Sequence, residues 1–383
     1  MRQFAEAAIV HAREVHGSAI TLHHQALDTV DRILAAERQA GASERGSLAL
    51  CYGSWLGEVA VTELEGRWVG LHEPHPPRLA IGRSLCSPIE AVDRLLAGVD
   101  ETSLTQRFAQ LTEWRAEHDQ QHHAVEQNRE AWQQLAGDPG FAQVSMDDTM
   151  HCATHWDRDS ALAAIDPWLA ERSLNQPKLL CLAAGGGTHG LLHAMAGFDV
   201  TVVDFSERML EIDRQLAQQC NIHMETLQAS MDDLSGLADQ SFDCVLQPVS
   251  TCYLPELDGL FAEVARVLRP RGMYISQHKH PVSLQASGRY DHGGYQLLHA
   301  AIGETTVTRD GSSSGGDSHL EAGTVEFIHS LEAILGGICR SGLTITAFEE
   351  PCRADRWAPV GSPAHRACFA PPYFKVKATK PPA

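Results

Sequence analysis

KLLCLAAGGGTHGLLHAMAGFDVTVVD, residues 178 to 204, is the stretch whose reading decides the fold. A short apolar run from Lys178 to Ala183 meets three consecutive glycines, Gly185, Gly186 and Gly187. A helical pattern follows, then a second apolar run that ends in Asp204. This order predicts strand, tight glycine-rich turn, helix, strand, which is the nucleotide-binding half of a doubly wound sheet. Glycines suit such a turn because the backbone must bend sharply and lie close to a ligand. The helix behind the turn presents free N–H groups. A carboxylate that ends the second strand is placed to accept hydrogen bonds from ribose hydroxyls.

Two cofactor classes compete for this unit. Gly185, Gly187 and Gly190 satisfy G-x-G-x-x-G, and Asp204 follows about 20 residues after the first glycine, as dinucleotide binding requires. A similar turn and a similar acid serve S-adenosylmethionine. A glycine-rich turn without a ligand is the bland alternative, and the joint occurrence of strand, turn, helix and acid weighs against it.

The chain has 383 residues, long for one domain, and 43% hydrophobic content, as a globular protein with a sizeable core has. A net charge of −19 argues against a general nucleic-acid binder, which needs a basic face. The 10 cysteines form no CxxC pair, and several, such as Cys181, Cys244 and Cys339, sit in apolar runs. They read as small hydrophobes of a reducing compartment. The opening MRQFAEAAIVHAREVHG lacks the apolar region of a signal peptide, and no window is apolar enough to span a bilayer. A cytoplasmic protein is expected. Of the 21 histidines, His151/His155 and His189/His193 have i, i+4 spacing, His122 and His123 are adjacent, and His278 and His280 flank Lys279. Neither spaced pair carries the Glu of H-E-x-x-H, so no metal centre is predicted.

Working outward, residues 4–40 read as helical, with Ala8, Val15, Leu22, Leu27, Val30 and Leu34 at near-helical spacing. Residues 47–71 read as two strands with Glu65-Gly66 as the turn, and Cys51, Tyr52, Trp55, Glu58 and Trp68 fall together on that hairpin. HEPHPPR (72–78) is a loop, Ser87-Pro88 opens a helix to about Ala97, and another helix covers about 103–118. Residues 1–118 thus form an α+β accessory domain suited to substrate binding, to capping the second domain or to making a homodimer. A polar passage, HDQQHHAVEQNREAWQQLAGD, leads to a helix over about 159–172. Strands are predicted at 178–183, 200–204, 223–229, 242–247, 272–278, 344–350 and 373–379. Helices are predicted near 188–196, 206–219, 256–268 and 327–341. This alternation implies an α/β, mostly parallel, doubly wound seven-stranded sheet, the seventh strand inserting antiparallel at an edge. The long connection at 281–324, with SSSGG at 312–316, is an insertion on the ligand side of the sheet and a candidate substrate cover with a flexible tip.

CLAAGGGTHG, VTVVDFSERML, LQASMDDLSGLADQSFDCVLQPVSTCYL and FAEVARVLRPRGMYIS together resemble the class I S-adenosylmethionine-dependent methyltransferases over residues 119–383. The resemblance implies a Rossmann-like methyltransferase fold and S-adenosylmethionine as cofactor. It implies that Ala183, Gly185, Gly186 and Gly187 border the methionine portion and that Asp204 binds the ribose. Phe205 and Met209 would follow beside the adenine, with Ser230, Met231 and Asp232 around the ring. Gln247 and Pro248, with Val249, would end the fourth strand near the transferred methyl. Two positions depart from the usual pattern: Ala183 stands where an acid precedes the first glycine, and His189 replaces the third glycine. Ser230 stands where many relatives carry an acid for the adenine amino group.

The expected function is methyl transfer to a small-molecule or peptide acceptor, with no nucleic-acid or membrane partner. Tyr253, His278 and His280, with His329, are the candidate bases, since they lie at or beyond strand ends or on late helices. The alternatives are an NAD(P)-dependent oxidoreductase, on the glycine spacing and Asp204, and a non-catalytic nucleotide-binding module of the same fold, on Ala183 and Ser230.

Overall fold

A computed structural model describes residues 1–41, 44–71, 74–82, 84–137, 157–172, 176–299, 306–308 and 323–382. By its internal contacts the chain divides into two units, Met1–His123 and Ala124–Ala383.

The first unit contains α1 (Arg2–His16), α2 (Leu27–Gln39) and α3 (Arg45–Glu63). An antiparallel sheet follows, of β1 (Arg67–Val69), β2 (Arg78–Ile81) and β3 (Ser84–Cys86), then α4 (Pro88–Leu96) and the start of α5 (Leu104–Gly137). Ala5, Ala8 and Ala12 make a fully buried stripe on α1. Gly17 then takes a left-handed conformation (φ 61°) and ends the helix, so the predicted helical run over 4–40 is broken. Val15, predicted inward, is 62% exposed.

The predicted hairpin over 47–71 is the largest error of the sequence reading. Most of it is α3, a helix buried on nearly all sides, with Tyr52 and Trp55 fully inside. A helix that is apolar all round shows no polar stripe, and its aromatic and β-branched content mimics a strand. Gly53 and Gly57 let neighbours approach closely. A Cβ on Gly53 would lie 2.5 Å from the Ile89 Cα, and one on Gly57 would lie 2.0 Å from the Trp68 indole. Trp68 is on β1 and donates its indole N–H to Glu58 on α3 at 3.0 Å. Those residues therefore build a core and not a strand face. Likewise, the predicted helix over 103–118 continues through the polar passage to Gly137. Gln, Glu, Arg and Ala favour helix there, and no Gly or Pro interrupts it.

The second unit continues with α6 (Arg158–Ala164), α7 (Pro167–Ala170), β4 (Lys178–Leu182), α8 (Thr188–Met195), β5 (Asp199–Asp204) and α9 (Glu207–Gln219). Then come β6 (Glu225–Gln228), β7 (Phe242–Gln247), α10 (Asp258–Val267), β8 (Leu268–Lys279) and α11 (Pro281–Gln285). Short strands β9 (Ala286–Asp291), β10 (Gly294–Leu297), β11 (Thr306–Thr308) and β12 (Val325–Phe327) precede α12 (Gly337–Arg340), β13 (Thr344–Glu349), α13 (Pro363–Arg366) and β14 (Tyr373–Thr379). The helix predicted over 159–172 is two helices. Asp166 caps the second and Pro167 begins it, since proline cannot continue the first. The one predicted over 327–341 is a five-residue π turn, Glu332–Gly336, running into α12.

The seven-stranded sheet has the order β13-β14-β8-β7-β4-β5-β6. β14 is antiparallel to both neighbours and all other pairs are parallel. β14 lies between β8 and β13, so the antiparallel strand is internal and β13 takes the edge. This differs from the all-parallel dinucleotide-binding order, which has six strands. Alternate residues serve opposite faces: Leu180, Leu182, Val245 and Tyr274 pack with Phe261 of α10. Leu179, Cys181, Val202 and Cys244 pack with Ala161 of α6. Cys339, expected inside, is exposed. The order in which the strands are connected reverses between the parallel neighbours β4 and β7, and a crevice opens beyond the strand ends there. The predicted insertion carries α11 and the antiparallel pair β9–β10, while β11 pairs with β12. The 310–318 tip and His151 with His155 lie outside the described residues. Among the described residues, no helix is long and apolar enough to cross a membrane.

Candidate active site

The site is built on the turn between β4 and α8. Ala183 leaves the strand with φ 50°, and Gly186 and Gly187 follow with φ 106° and 101°. These are left-handed conformations that favour glycine, so the turn is a sharp one. Buried carboxylates hold its amides. Asp204 accepts the Gly185 N–H at 3.0 Å and the Ser206 N–H at 2.9 Å. Asp213, on α9, accepts the Gly186 N–H at 3.0 Å. Burial raises the pKa of Asp204, and the N–H bonds it accepts from Ser206, Gly185 and Phe205 oppose that. Burial, with Asp204 nearby, pushes Asp213 up to about 7.

A cleft of about 690 Å³, part of it open to solvent, lies beside this turn. Ala183, Gly185, Asp204, Phe205 and Met209 line one part of it. Ala229, Ser230 and Met231 line another. These include seven of the residues predicted to bind cofactor, brought together from the turn after β4, the end of β5 with α9, and the segment after β6. Gly186, Gly187, Asp232, Gln247 and Pro248 do not reach the wall. Asp232 accepts the Ser230 hydroxyl. Gln247 is fully buried, accepts from the Tyr274 hydroxyl and donates to Ser250 at 2.9 Å and to the Met231 sulfur at 3.5 Å. It supports the wall from behind, and Pro248 supplies a carbonyl to Ser250.

The candidate bases separate clearly. Tyr253 lines the cleft, its ring edge-on to Trp132 at 5.6 Å between centroids. His278 does not. Its ring is fully buried between Thr251 at 3.0 Å and Ser276 at 2.8 Å, and it stacks on Phe374. Burial lowers its pKa to about 3, so it is neutral and a poor proton acceptor at neutral pH. His280 caps α11 and faces Glu350 at 3.2 Å. His329 bridges the Thr251 and Leu254 carbonyls at 3.2 and 2.8 Å. His280 and His329 hold backbone and His278 holds two hydroxyls; none of the three lines the cleft. In α8, His193 bonds the His189 carbonyl at 2.6 Å, and burial lowers its pKa to about 4.

Six lining residues escape the sequence reading: Val125, Asn128, Trp132, Ala229, Ser250 and Leu254. Ala229 adjoins the predicted Ser230, and Ser250 adjoins the predicted Val249. Val125, Asn128 and Trp132 share one face of α5 by their i, i+3, i+7 spacing, a signal hidden within a polar run. Asn128 is almost fully buried and pairs like a strand with Val325, accepting its N–H at 2.7 Å and donating to its carbonyl at 2.9 Å. It also donates to the Tyr253 carbonyl at 3.3 Å. Asn128 thereby ties α5 and β12 to the segment that carries Tyr253.

Residues 180–276, which span the turn and β8, match a family model described as a methyltransferase domain. YbaJ of Bacillus subtilis, an uncharacterized methyltransferase, is 34% identical over 174 residues, covering 45% of this chain and 68% of that protein. A ubiquinone/menaquinone biosynthesis C-methyltransferase, UbiE of Nitrobacter hamburgensis, is 28% identical over 137 residues, which span 52% of its length and 34% of this chain. Among solved structures, an S-adenosylmethionine-dependent methyltransferase from Mesorhizobium loti aligns with a TM-score of 0.44 and 22% identity, covering 57% of this chain and 100% of that one.

Proposed function

We propose, from the premise that this chain belongs to the class I S-adenosylmethionine-dependent methyltransferases, that its acceptor is a small, largely apolar molecule bound against Trp132 and Tyr253. The observation that carries this reading is the composition of the cleft wall away from the turn. Val125, Trp132, Val249, Tyr253 and Leu254 are apolar or aromatic, and Asn128 and Ser250 are its polar members. Such a wall favours burial of an apolar body, with few groups to orient it.

The residues present fit the cofactor. Asp204 ends β5 at the cleft wall, and its oxygens accept backbone N–H groups on the turn side, while a carboxylate's about four lone-pair sites leave room for a ribose hydroxyl. Met231 would pack on the adenine face and Ser230 would stand at its edge. No acid lies at Ala183, so backbone carbonyls of Ala183 and Ala184 would meet the α-amino group. When bound, S-adenosylmethionine supplies an electrophilic methyl carbon on a positive sulfur. The chain's part is to hold the acceptor in line, and orientation of this kind is worth up to ~7–11 kcal/mol. Tyr253, the one predicted base that lines the cleft, would contact the acceptor, its backbone fixed by Asn128. Residues 119–383 carry this activity in our reading, and the N-terminal unit is an accessory element.

The test uses methyl-labelled S-adenosylmethionine with the full chain and a cell extract separated by size. Label should enter the small-molecule fraction, and Trp132→Ala should lower that turnover by ~10-fold or more, about the loss of a buried aromatic contact. Label confined to the peptide or nucleic-acid fraction would contradict the proposed acceptor.

A further inference from the structure

Histidines crowd the α1–α2 region of the N-terminal unit. His11 and His16 lie on α1 and Glu37 on α2. The His16 Nε2 is 2.6 Å from the Glu37 Oε1, and the His11 Nε2 is 3.6 Å from the same oxygen. One metal-ligating atom from each residue lies within 4.8 Å of the other two. A hydrogen-bonded pair would need only one imidazole. The second nitrogen, at 3.6 Å from the same oxygen, is beyond hydrogen-bond reach yet beside it. Ligands of a tetrahedral ion with bonds of about 2.0–2.1 Å stand about 3.3 Å apart, and the two observed distances bracket that spacing.

The surroundings agree. The Tyr52 hydroxyl is 2.9 Å from the His11 Nδ1, so the other ring nitrogen is turned toward Glu37. Histidines that bind metal are commonly held in this way by a partner on the far nitrogen. Tyr52 is itself fully buried in the core, which fixes that partner. The three side chains are only 15–25% exposed, enough for an ion to enter and too little for freely solvated groups. Two imidazoles and one carboxylate suit zinc-class divalent ions and not calcium or magnesium, which prefer oxygen.

We propose that His11, His16 and Glu37 bind one zinc-class divalent cation, with a fourth position facing solvent. The three ligands belong to the first unit, and the residues that line the cleft belong to the second. A second grouping, His23, His24 and Glu63, is a weaker candidate. Its histidines are 44% and 48% exposed, and the Glu63 carboxylate is already engaged by both the ring and the backbone N–H of His24.

The experiment titrates metal-stripped full-length protein with Co²⁺ while visible absorption is recorded, then displaces it with Zn²⁺. We expect one Co²⁺ per chain with micromolar or tighter affinity. His11→Ala and His16→Ala should each abolish saturable binding, Tyr52→Phe should weaken it about 10-fold, and His24→Ala should leave it unchanged. Circular dichroism accompanies each variant. If an alanine variant is unfolded, Tyr52→Phe and the near-isosteric Glu37→Gln decide the matter. Absence of saturable binding to the wild type would overturn the proposal. So would binding that survives in folded His11→Ala and His16→Ala, or in folded Tyr52→Phe and Glu37→Gln, or that is lost in His24→Ala.

Discussion

Asp204 and Asp213 hold consecutive amides of one turn, yet they face different surroundings. Asp204 borders the cleft, whereas the second oxygen of Asp213 is buried with no hydrogen-bond partner. The pKa of Asp213 is raised to about 7, chiefly by burial. In the unfolded chain it would release its proton near pH ~3.9. Between those values the folded state binds the extra proton, so stability falls as pH rises from about 4 to about 7. The full loss, reached above the folded value, is at most about 4 kcal/mol. Asp213→Asn keeps an oxygen for Gly186 and removes the charge. It should melt higher than the wild type at pH 8, with that advantage gone at pH 4. Equal melting temperatures at both pH values would contradict this account of Asp213. Asp204 was readable because it ends an apolar run after a glycine-rich turn. Asp213 was not, because nothing in ERMLEIDRQL tells that this acid lies on the face of α9 turned toward the turn. The histidines failed for a related reason: position at a strand end does not tell whether a ring faces the cleft or the core.

The glycine-rich turn is the element on which the site depends. Gly187 has φ 101°, and a Cβ there would come within 2.2 Å of a Leu216 methyl. A side chain would suffer backbone strain of about 1–2 kcal/mol in addition to that clash. Gly187→Val should therefore lose S-adenosylmethionine binding while α1–α4 keep their helical signal by circular dichroism. Binding at wild-type affinity in this variant would remove the turn from the site. The strands and helices after Lys178 were readable because buried parallel strands are short apolar runs separated by amphipathic helices. α3 was not, since a helix apolar on every face and a buried strand share one pattern. The α5 contribution was hidden differently: its Val125, Asn128 and Trp132 face is narrow and interleaved with charged residues.

For the whole molecule, the cofactor half of the function was readable and the acceptor half was not. The residues proposed to recognise the cofactor lie in a contiguous stretch between β4 and β7, where motif order survives in the chain. The wall proposed for the acceptor is assembled from α5 and the segment after β7, far apart in sequence. The N-terminal unit carries no cofactor motif, and the family model falls entirely within the second unit. The central claim is that this cleft binds S-adenosylmethionine through Asp204. Titration calorimetry of S-adenosylmethionine into the full chain, beside folded Asp204→Ala, tests it directly. The account predicts one saturable site in the wild type and a loss of about 1.5–3 kcal/mol in the variant, as for hydrogen bonds to a charged group. Absence of binding to the wild type, or equal affinity in the two proteins, would contradict it.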